Sequence, residues 1–255
     1  MAFDLNGTTQ WATIPSAAAN FNVGTFVGWF APDIAPDSAS LLSLWDTDTA
    51  RYIAYKNASV NQMRIYCDGR ETVYTTTGLW TAGTFAHFAM GYNKTGNVQT
   101  LWINGTSVSV AVAGAGTWGA NTFGTNLYVG RNAPNNSLYD GDVAEFATYT
   151  VVLADADVAQ LARGYSPLLV RPDKLMNYTP FIANGTPGFG TGLATLVASP
   201  TQTAHPRVFM PHRRMQRGVA AAGSTITTAN LPGGVGYMGS GQTRAIQPAG
   251  VSYMG

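Results

Sequence analysis

The chain has 255 residues, of which 45% are hydrophobic and only 11% are charged, and its formal net charge is +1. This size and composition allow one sizeable core. A single cysteine, Cys67, excludes an intramolecular disulfide. No apolar run approaches the roughly 18 residues that cross a bilayer, so we expect no contact with membranes.

The first part of the chain, up to about residue 153, has the pattern of short antiparallel strands. Runs rich in Val, Ile, Thr and aromatic residues alternate with turn residues, as in TFVGWFAP and QMRIYCDGRETVYTT. Asp68-Gly69 lies between two alternating runs, and Asn104-Gly105 repeats this arrangement, which is the strongest local signal for a β-hairpin. The sequence therefore predicts an all-β fold, an antiparallel β-sandwich.

One helix is predicted, in the segment LADADVAQLARG. Asp155 is a suitable N-cap, and Val158, Leu161 and Ala162 share one face of a helical turn pattern. Gly164 is a typical residue for ending a helix.

The remainder of the chain differs in charge and pattern. Residues 1 to 173 carry 8 basic and 13 acidic side chains, whereas residues 174 to 255 carry 6 basic and no acidic ones. We predict a sandwich over residues 1–166, a long, extended, basic arm rich in Pro, Gly and Thr over residues 167–230, and a tail over residues 231–255. The tail contains PGGVGYMG and PAGVSYMG, which agree at six of eight positions.

Six segments occur in an order that resembles a known family. They are FDLNGTTQWATIP, TFVGWFAP, FAHFAMGYN, LWINGTSV, NLYVGRN and YDGDVAEFATYTVVLADADVAQLARG. This order is similar to that of laminin-G-like domains, which belong to the concanavalin-A-like lectin and glucanase sandwiches. The resemblance implies a jelly-roll sandwich closed by one short helix.

A second resemblance concerns LVRPDKLMNYTPF and HPRVFMP. They look like an extension that follows this domain in phage-encoded proteins. This resemblance implies a virion protein. Because the first residues have neither the basic nor the apolar region of a signal peptide, we expect synthesis in the host cytoplasm.

Related glucanases use paired carboxylates on one strand, and Asp140, Asp142 and Glu145 occupy the corresponding segment here. Retaining enzymes of that kind need two carboxyl groups about 5.5 Å apart. Asp140 is one methylene shorter than glutamate, and Asp142 and Glu145 have an odd spacing that places them on opposite faces unless a bulge intervenes. His87 lies between apolar residues of a predicted strand and is expected to be structural. We therefore predict that the chain is not an enzyme.

Acidic loops are the candidate metal ligands. Asp46 with Asp48, and Asp140 with Asp142, could offer carboxylate oxygens to Ca²⁺. Short acidic clusters in loops are more often solvated turns, so the prediction is no cofactor, with calcium as the alternative.

Tryptophans near turns are the candidate sugar platforms, because a flat aromatic face can stack on a pyranose ring. Trp45, Trp80 and Trp118 lie near predicted turns. Their exposure would allow weak contact with a host surface glycan.

Residues of the arm and tail are the candidates for docking to other proteins. The basic ones are Arg207, Arg213, Arg214 and Arg217. Tyr and Met are enriched in interface cores, and each repeat supplies one of each: Tyr237, Met238, Tyr253 and Met254. Because the body of the chain is acidic and the basic cluster is short, an acidic protein surface is a better partner for it than nucleic acid.

These patterns together predict a non-enzymatic virion protein. The first interpretation is a capsid decoration or cement protein, anchored by its arm to the major capsid protein or another virion protein, and homo-oligomeric. A carbohydrate-binding module or glucanase-like protein is the alternative. A tail-fibre or head-fibre adhesin is the second alternative.

Overall fold

A computed structural model describes residues 2–15, 22–49, 51–56, 59–120, 125–132, 137–181 and 194–209. All of them lie in one compact unit, Met1–His212. Within the described residues, sixteen strands and one helix follow one another in this order: β1 (Ala2–Asn6), β2 (Trp11–Pro15), β3 (Val23–Pro32), β4 (Leu42–Thr47), β5 (Tyr52–Lys56), β6 (Gln62–Cys67), β7 (Arg70–Thr75), β8 (Ala86–Asn93), β9 (Val98–Ile103), β10 (Thr106–Ser107), β11 (Val110–Ala115), β12 (Asn126–Val129), β13 (Asp140–Tyr149), α1 (Asp155–Ala162), β14 (Leu175–Thr179), β15 (Thr195–Val197) and β16 (Thr201–Thr203).

The strands form two antiparallel sheets of eight strands each. Sheet A has the order β10-β9-β8-β3-β13-β1-β16, and β14 also pairs with β13. Sheet B has the order β11-β7-β6-β5-β4-β12-β2-β15. The predicted all-β sandwich with one short helix is confirmed.

The main core lies between the two sheets and is largely aromatic. Phe26 and Phe146 from sheet A contact Trp45 from sheet B at ring-centroid distances of 6.2 and 5.8 Å. Side chains alternate between the faces of a strand, so the residues that flank these core positions point outward. The sandwich thus has two outer faces, one on each sheet.

The outer face of sheet A is covered by α1. Val158 and Leu161 are buried there, as predicted, and the indole N–H of Trp102 donates to Asp155 at 2.7 Å. The N-cap is Ala154 rather than the predicted Asp155, which is the first helical residue. The Asp157 carboxylate accepts a hydrogen bond from the Ala154 backbone amide at 3.4 Å, at the start of the helix. This face is therefore closed by protein.

Both predicted hairpins are confirmed. Asp68 and Gly69 join β6 to β7 with φ values of 43° and 97°, and Asn104 and Gly105 join β9 to β10 with values of 52° and 81°. Positive φ at both central residues is the type I′ geometry that matches the twist of the flanking strands.

The strands after residue 166 differ from the predicted boundary of the sandwich. β14 pairs with β13, β15 with β2 and β16 with β1, so this part of the chain adds to both sheets. The predicted tail, 231–255, lies outside the described residues, as does the arm beyond residue 209. The helix in the described part of the chain is too short to cross a membrane.

Candidate functional site

The outer face of sheet B carries aromatic and charged side chains together. Register places Tyr128 opposite both Thr13 and Asp46, and Tyr55 opposite both Ser43 and Arg64. Directly opposed residues in antiparallel strands project to the same face. Residues next to them in the chain, such as Leu127 and Ala54, belong to the core.

An arginine between two aromatic rings marks one end of this face. The Arg131 guanidinium lies 4.6 Å from the centre of the Trp11 ring and 4.1 Å from that of Tyr128. A cation within about 6 Å of an aromatic face is attracted by the ring quadrupole. The guanidinium therefore stabilises the positions of both rings, which form the aromatic part of this end of the face.

A second set of side chains crosses β5, β6 and β7. Arg64 Nη1 donates to Glu71 Oε1 at 2.6 Å, and the Tyr55 hydroxyl donates to the same oxygen at 3.2 Å. Burial and the neighbouring Glu71 carboxylate raise the pKa of Tyr55 above its usual value. Its phenol is thus a neutral donor, and its ring is fixed on the face.

A pocket of about 270 Å³ lies beside Tyr55. Its lining consists of Leu41, Ser43, Arg51, Ile53, Tyr55, Asn132 and Ser137. Ser43 Oγ donates to Ser137 Oγ at 3.0 Å, and Asn132 Oδ1 accepts from the Ser137 amide at 3.0 Å. Hydroxyl, amide and guanidinium groups beside a flat ring are the groups that bind a small polyhydroxylated ligand.

A larger pocket, of about 420 Å³, is formed by the loops at one end of the sandwich around Trp80. The Trp80 indole N–H donates to the Ile34 carbonyl at 2.8 Å, and the residue is only 5% exposed. Its ring is therefore part of the pocket wall and does not form an open stacking platform. This corrects the prediction for Trp80.

The other two predicted platforms differ from each other. Trp45 is fully buried in the centre of the core because a bulge between Ser43 and Trp45 turns its side chain inward. It cannot contact a glycan, contrary to the prediction. Trp118 is half-buried, and its indole N–H donates to Asn97 Oδ1 at 2.8 Å.

The predicted calcium ligands of β4 are used within the protein. Asp46 is buried and pairs with Arg51, whose Nε lies 3.1 Å from Asp46 Oδ2. Asp48 Oδ2 accepts from the backbone amides of Thr125 and Asn126 at 3.0 Å each. The two carboxylates bind different partners, Asp46 the Arg51 side chain and Asp48 the backbone of residues 125–126. The described contacts do not bring both carboxylates to one ion site.

Asp140 and Asp142 occupy the start of β13. Burial and the nearby Asp33 and Asp4 carboxylates raise the pKa of Asp140. Burial also raises the pKa of Asp142, although a hydrogen bond of 2.8 Å from Thr203 opposes this. Within the described residues, no group of three or more His, Cys, Asp or Glu side chains is arranged to hold a metal ion.

Glu145 lies at a bulge in β13, in the left-handed region at φ 55°. Its carboxylate accepts from the Tyr178 hydroxyl and contacts His205 at 2.9 Å, and the residue is 2% exposed. The bulge changes the direction of the Glu145 side chain. The carboxylate then contacts Tyr178 of β14 and His205 in the segment after β16. Glu145 is thus a buried structural acid.

His87 is buried against Trp29 at a ring-centroid distance of 5.4 Å. Burial lowers its pKa to about 3, so it is neutral near pH 7. His87 is thus packed in the interior of the protein, as expected of a structural histidine.

Arg207 is the member of the predicted docking set that the structure describes. It is exposed, and its guanidinium lies 5.5 Å from the centre of the Phe209 ring. The other predicted docking residues lie outside the described part of the chain: Arg213, Arg214, Arg217, Tyr237, Met238, Tyr253 and Met254.

The side chains of the sheet B face were not among the site residues predicted from the sequence. Tyr55 and Tyr128 alternate with core residues, and this period of two was a usable signal for an outward face. Arg51, Arg131 and Asn132 lie in turns, and nothing in their local pattern indicates that they meet on one surface.

Comparisons with known proteins bear on the fold. Residues 6–159 match the model of a family described as the concanavalin A-like lectin/glucanases superfamily. No curated protein matches the chain. A candidate carbohydrate-binding protein from Bacteroides ovatus is similar with 15% identity and a TM-score of 0.58, over 82% of this chain and 62% of that one. This chain therefore spans less than two thirds of that protein.

Two further solved structures are more distant. A SAP-like pentraxin from Limulus polyphemus has 9% identity and a TM-score of 0.47, over 63% of this chain and 80% of that one. The CBM40 module of a Ruminococcus gnavus sialidase, bound to α2,3 sialyllactose, has 12% identity and a TM-score of 0.47, over 63% of this chain and 96% of the module.

The family model covers more than half of the 255 residues, and the two stacked antiparallel sheets agree with it. The protein belongs to the concanavalin A-like lectin/glucanase superfamily.

Proposed function

We propose that this protein is a non-enzymatic carbohydrate-binding protein and that the outer face of sheet B is its binding surface. The observation that carries the proposal is the pocket beside Tyr55, which combines a fixed aromatic ring with serine, asparagine and arginine side chains. Sugars bind to such surfaces through stacking of their apolar ring faces and hydrogen bonds to their hydroxyl groups. The similarity to a candidate carbohydrate-binding protein supports the same reading at the level of fold.

The non-enzymatic part of the proposal rests on the carboxylates of β13. Glu145 is buried and bound by Tyr178 and His205, and Asp142 is bound by Thr203. A glycosidase needs two carboxyl groups that both reach the scissile bond. Hydrolysis assays on α- and β-linked glucans should therefore give no release of reducing ends, and activity that is lost on Glu145→Gln would contradict the proposal.

The binding part is tested with a glycan array probed by the full chain, followed by calorimetry on the glycans that bind. Tyr55→Ala should weaken binding about tenfold or more, because it removes the ring beside the pocket. Tyr165→Ala is the matched control, since Tyr165 is an exposed tyrosine that follows α1 on the sheet A side. Equal affinities for the two variants would contradict the placement of the site.

A second candidate function is suggested by the charge distribution. Residues 174 to 255 carry six basic and no acidic side chains and contain the two related segments PGGVGYMG and PAGVSYMG. We propose that the residues after β16 attach the protein to a repeating acidic surface, as a decoration protein is attached to a phage capsid. Two weak anchors on one chain would gain avidity from their high effective concentration.

This second proposal is tested by deleting residues 231–255 and measuring occupancy on purified particles at increasing salt. The proposal expects loss of occupancy while the sandwich still unfolds cooperatively. Full occupancy of the shortened chain would contradict it. Binding of glycan by the sheet B face is compatible with either outcome.

A further inference from the structure

Arg51 is the only charged residue among the described residues that line the pocket beside Tyr55. It precedes β5 and has a left-handed backbone at φ 47°. Its Nε lies 3.1 Å from a carboxylate oxygen of Asp46, whose side chain is fully buried, whereas the Arg51 side chain is 38% exposed. The guanidinium is therefore held by the buried Asp46 carboxylate on one side and accessible to solvent on the other.

The anchoring contact involves only one edge of the guanidinium. Nε makes the bond to Asp46, and the two terminal amino groups have no acceptor among the described residues. An arginine held in this way offers a pair of parallel N–H donors at a fixed position, which is the geometry that binds a carboxylate in a bidentate manner. Because Asp46 fixes the side chain, little rotamer entropy remains to be lost on binding.

The rest of the pocket suits the neutral part of a sugar. Ser137 contributes a hydroxyl group, Asn132 contributes an amide, and Tyr55 supplies a flat wall. The buried Ser43 hydroxyl donates to Ser137 and holds it in place. The volume of about 270 Å³ is slightly below the range of about 300–1,000 Å³ that is usual for small-molecule sites. One sugar ring fits such a volume better than a longer chain does.

We infer that the pocket binds a sugar residue that bears a carboxylate, with the carboxylate on the terminal amino groups of Arg51 and the ring hydroxyls near Ser137 and Asn132. This inference rests on the proposed function, because it names the class of glycan that the same face binds. Uronic acids and sialic acids share the required chemistry. Sulfated sugars present a tetrahedral anion and a different arrangement of oxygens.

The test compares three sets of oligosaccharides by calorimetry with the full chain. They are oligosaccharides that contain a uronic acid, the same oligosaccharides after reduction of the carboxyl to an alcohol, and oligosaccharides that end in sialic acid. The expected result is that a carboxylated set binds about ten- to a hundredfold more tightly than the carboxyl-reduced set, as a bidentate charged contact provides. The uronic and sialic arms identify which acid is the source.

Variants separate the role of Arg51 from a general effect of charge. Arg51→Gln should abolish the preference for the acid, and Arg51→Lys, which keeps the charge beside Asp46, should retain only part of it. Arg163→Gln is the matched control, because Arg163 is an exposed arginine at the end of α1 and does not line the pocket. It should leave the preference unchanged.

The outcomes distinguish the inference from the proposed function. Equal binding of acidic and reduced sugars, or an acid preference that survives in Arg51→Lys and Arg51→Gln alike, would overturn the inference and leave glycan binding intact. Sulfated oligosaccharides are measured as a fourth set, and tighter binding of these than of the carboxylated sets would also overturn it. No binding of any glycan would overturn both.

Discussion

His205 Nε2 lies 2.9 Å from Glu145 Oε1, and this contact joins the segment after β16 to the bulge in β13. The other ring nitrogen, Nδ1, lies 2.6 Å from the carbonyl oxygen of Pro206. Both ring nitrogens of His205 therefore lie close to oxygen atoms of neighbouring groups. A buried carboxylate and a histidine ring thus connect the centre of sheet A to the last described residues.

Glu145→Gln should reduce the free energy of unfolding by about 1.5–3 kcal/mol, because it removes a buried carboxylate that accepts from the Tyr178 hydroxyl and contacts His205. Glu71→Gln is the control, since Glu71 forms a partly exposed ion pair with Arg64, and it should cost less than about 1 kcal/mol. Urea unfolding at neutral pH measures both. Similar small losses in the two variants would show that the Glu145 contact contributes no more than a surface pair.

A chain that ends at Ser166 should lose cooperative unfolding, whereas a chain that ends at His212 should keep it. The shorter chain lacks Val170, Leu175 and Tyr178, which are buried in the apolar cluster on the outer face of sheet A. It also leaves Tyr149 in that cluster exposed to solvent. Thermal melts and binding of a hydrophobic dye report the difference. A sharp melt of the shorter chain near the temperature of the longer one would place the sandwich boundary at residue 166, as the composition change predicts.

His87→Leu should remove one component of acid denaturation. Burial lowers the His87 pKa to about 3 in the folded protein, whereas an unfolded histidine has a pKa of about 6.5. Between about pH 6.5 and pH 3 the unfolded state therefore binds a proton at His87 that the folded state does not bind. The contribution of neutral His87 to stability is present above about pH 6.5 and is lost as the pH falls toward 3. The raised pKa values of Asp140 and Asp142 act in the opposite sense, and both proteins retain them.

The measurement is the free energy of unfolding between pH 3 and pH 7. Wild type should fall more steeply than His87→Leu between about pH 6.5 and pH 3. Parallel curves for the two proteins would contradict the assignment of a neutral, buried His87.

Gly69→Ala should reduce the free energy of unfolding by about 2–4 kcal/mol, because φ is +97° and an added Cβ would lie 2.6 Å from the Thr117 carbonyl oxygen. Gly78→Ala is the control. Gly78 also has a positive φ, +67°, but nothing lies within 4 Å of its added Cβ, so it should cost only about 1 kcal/mol. Equal losses would mean that the hairpin and the segment around Thr117 do not pack as described.

The sequence predicted the fold well where the signal was local. Alternation of side chains and the two Xaa-Gly hairpins depend on neighbouring residues, and both are confirmed by β6, β7, β9 and β10. The positions of the last three strands were not predicted, because β14, β15 and β16 are short and derive their stability from pairing with distant partners. Contacts of that kind leave no periodic trace in five or fewer residues.

The candidate site was harder to predict for a related reason. Trp45 looked exposed because it is close to a turn, yet a bulge directs it into the core. Arg51 and Asn132 are far apart in sequence and meet only because β4 lies between β5 and β12 in sheet B. The resemblance to laminin-G-like domains can indicate a lectin-like surface, but strand order decides which side chains share it.

The most direct test of sugar binding by the sheet B face is hydrogen–deuterium exchange of the full chain with and without a glycan selected on the array. The account predicts that protection appears in residues 41–56 and 126–132, which carry the pocket beside Tyr55. Protection confined to residues 35–37 and 77–82, around Trp80, would instead place binding in the pocket at the end of the sandwich and would contradict the account.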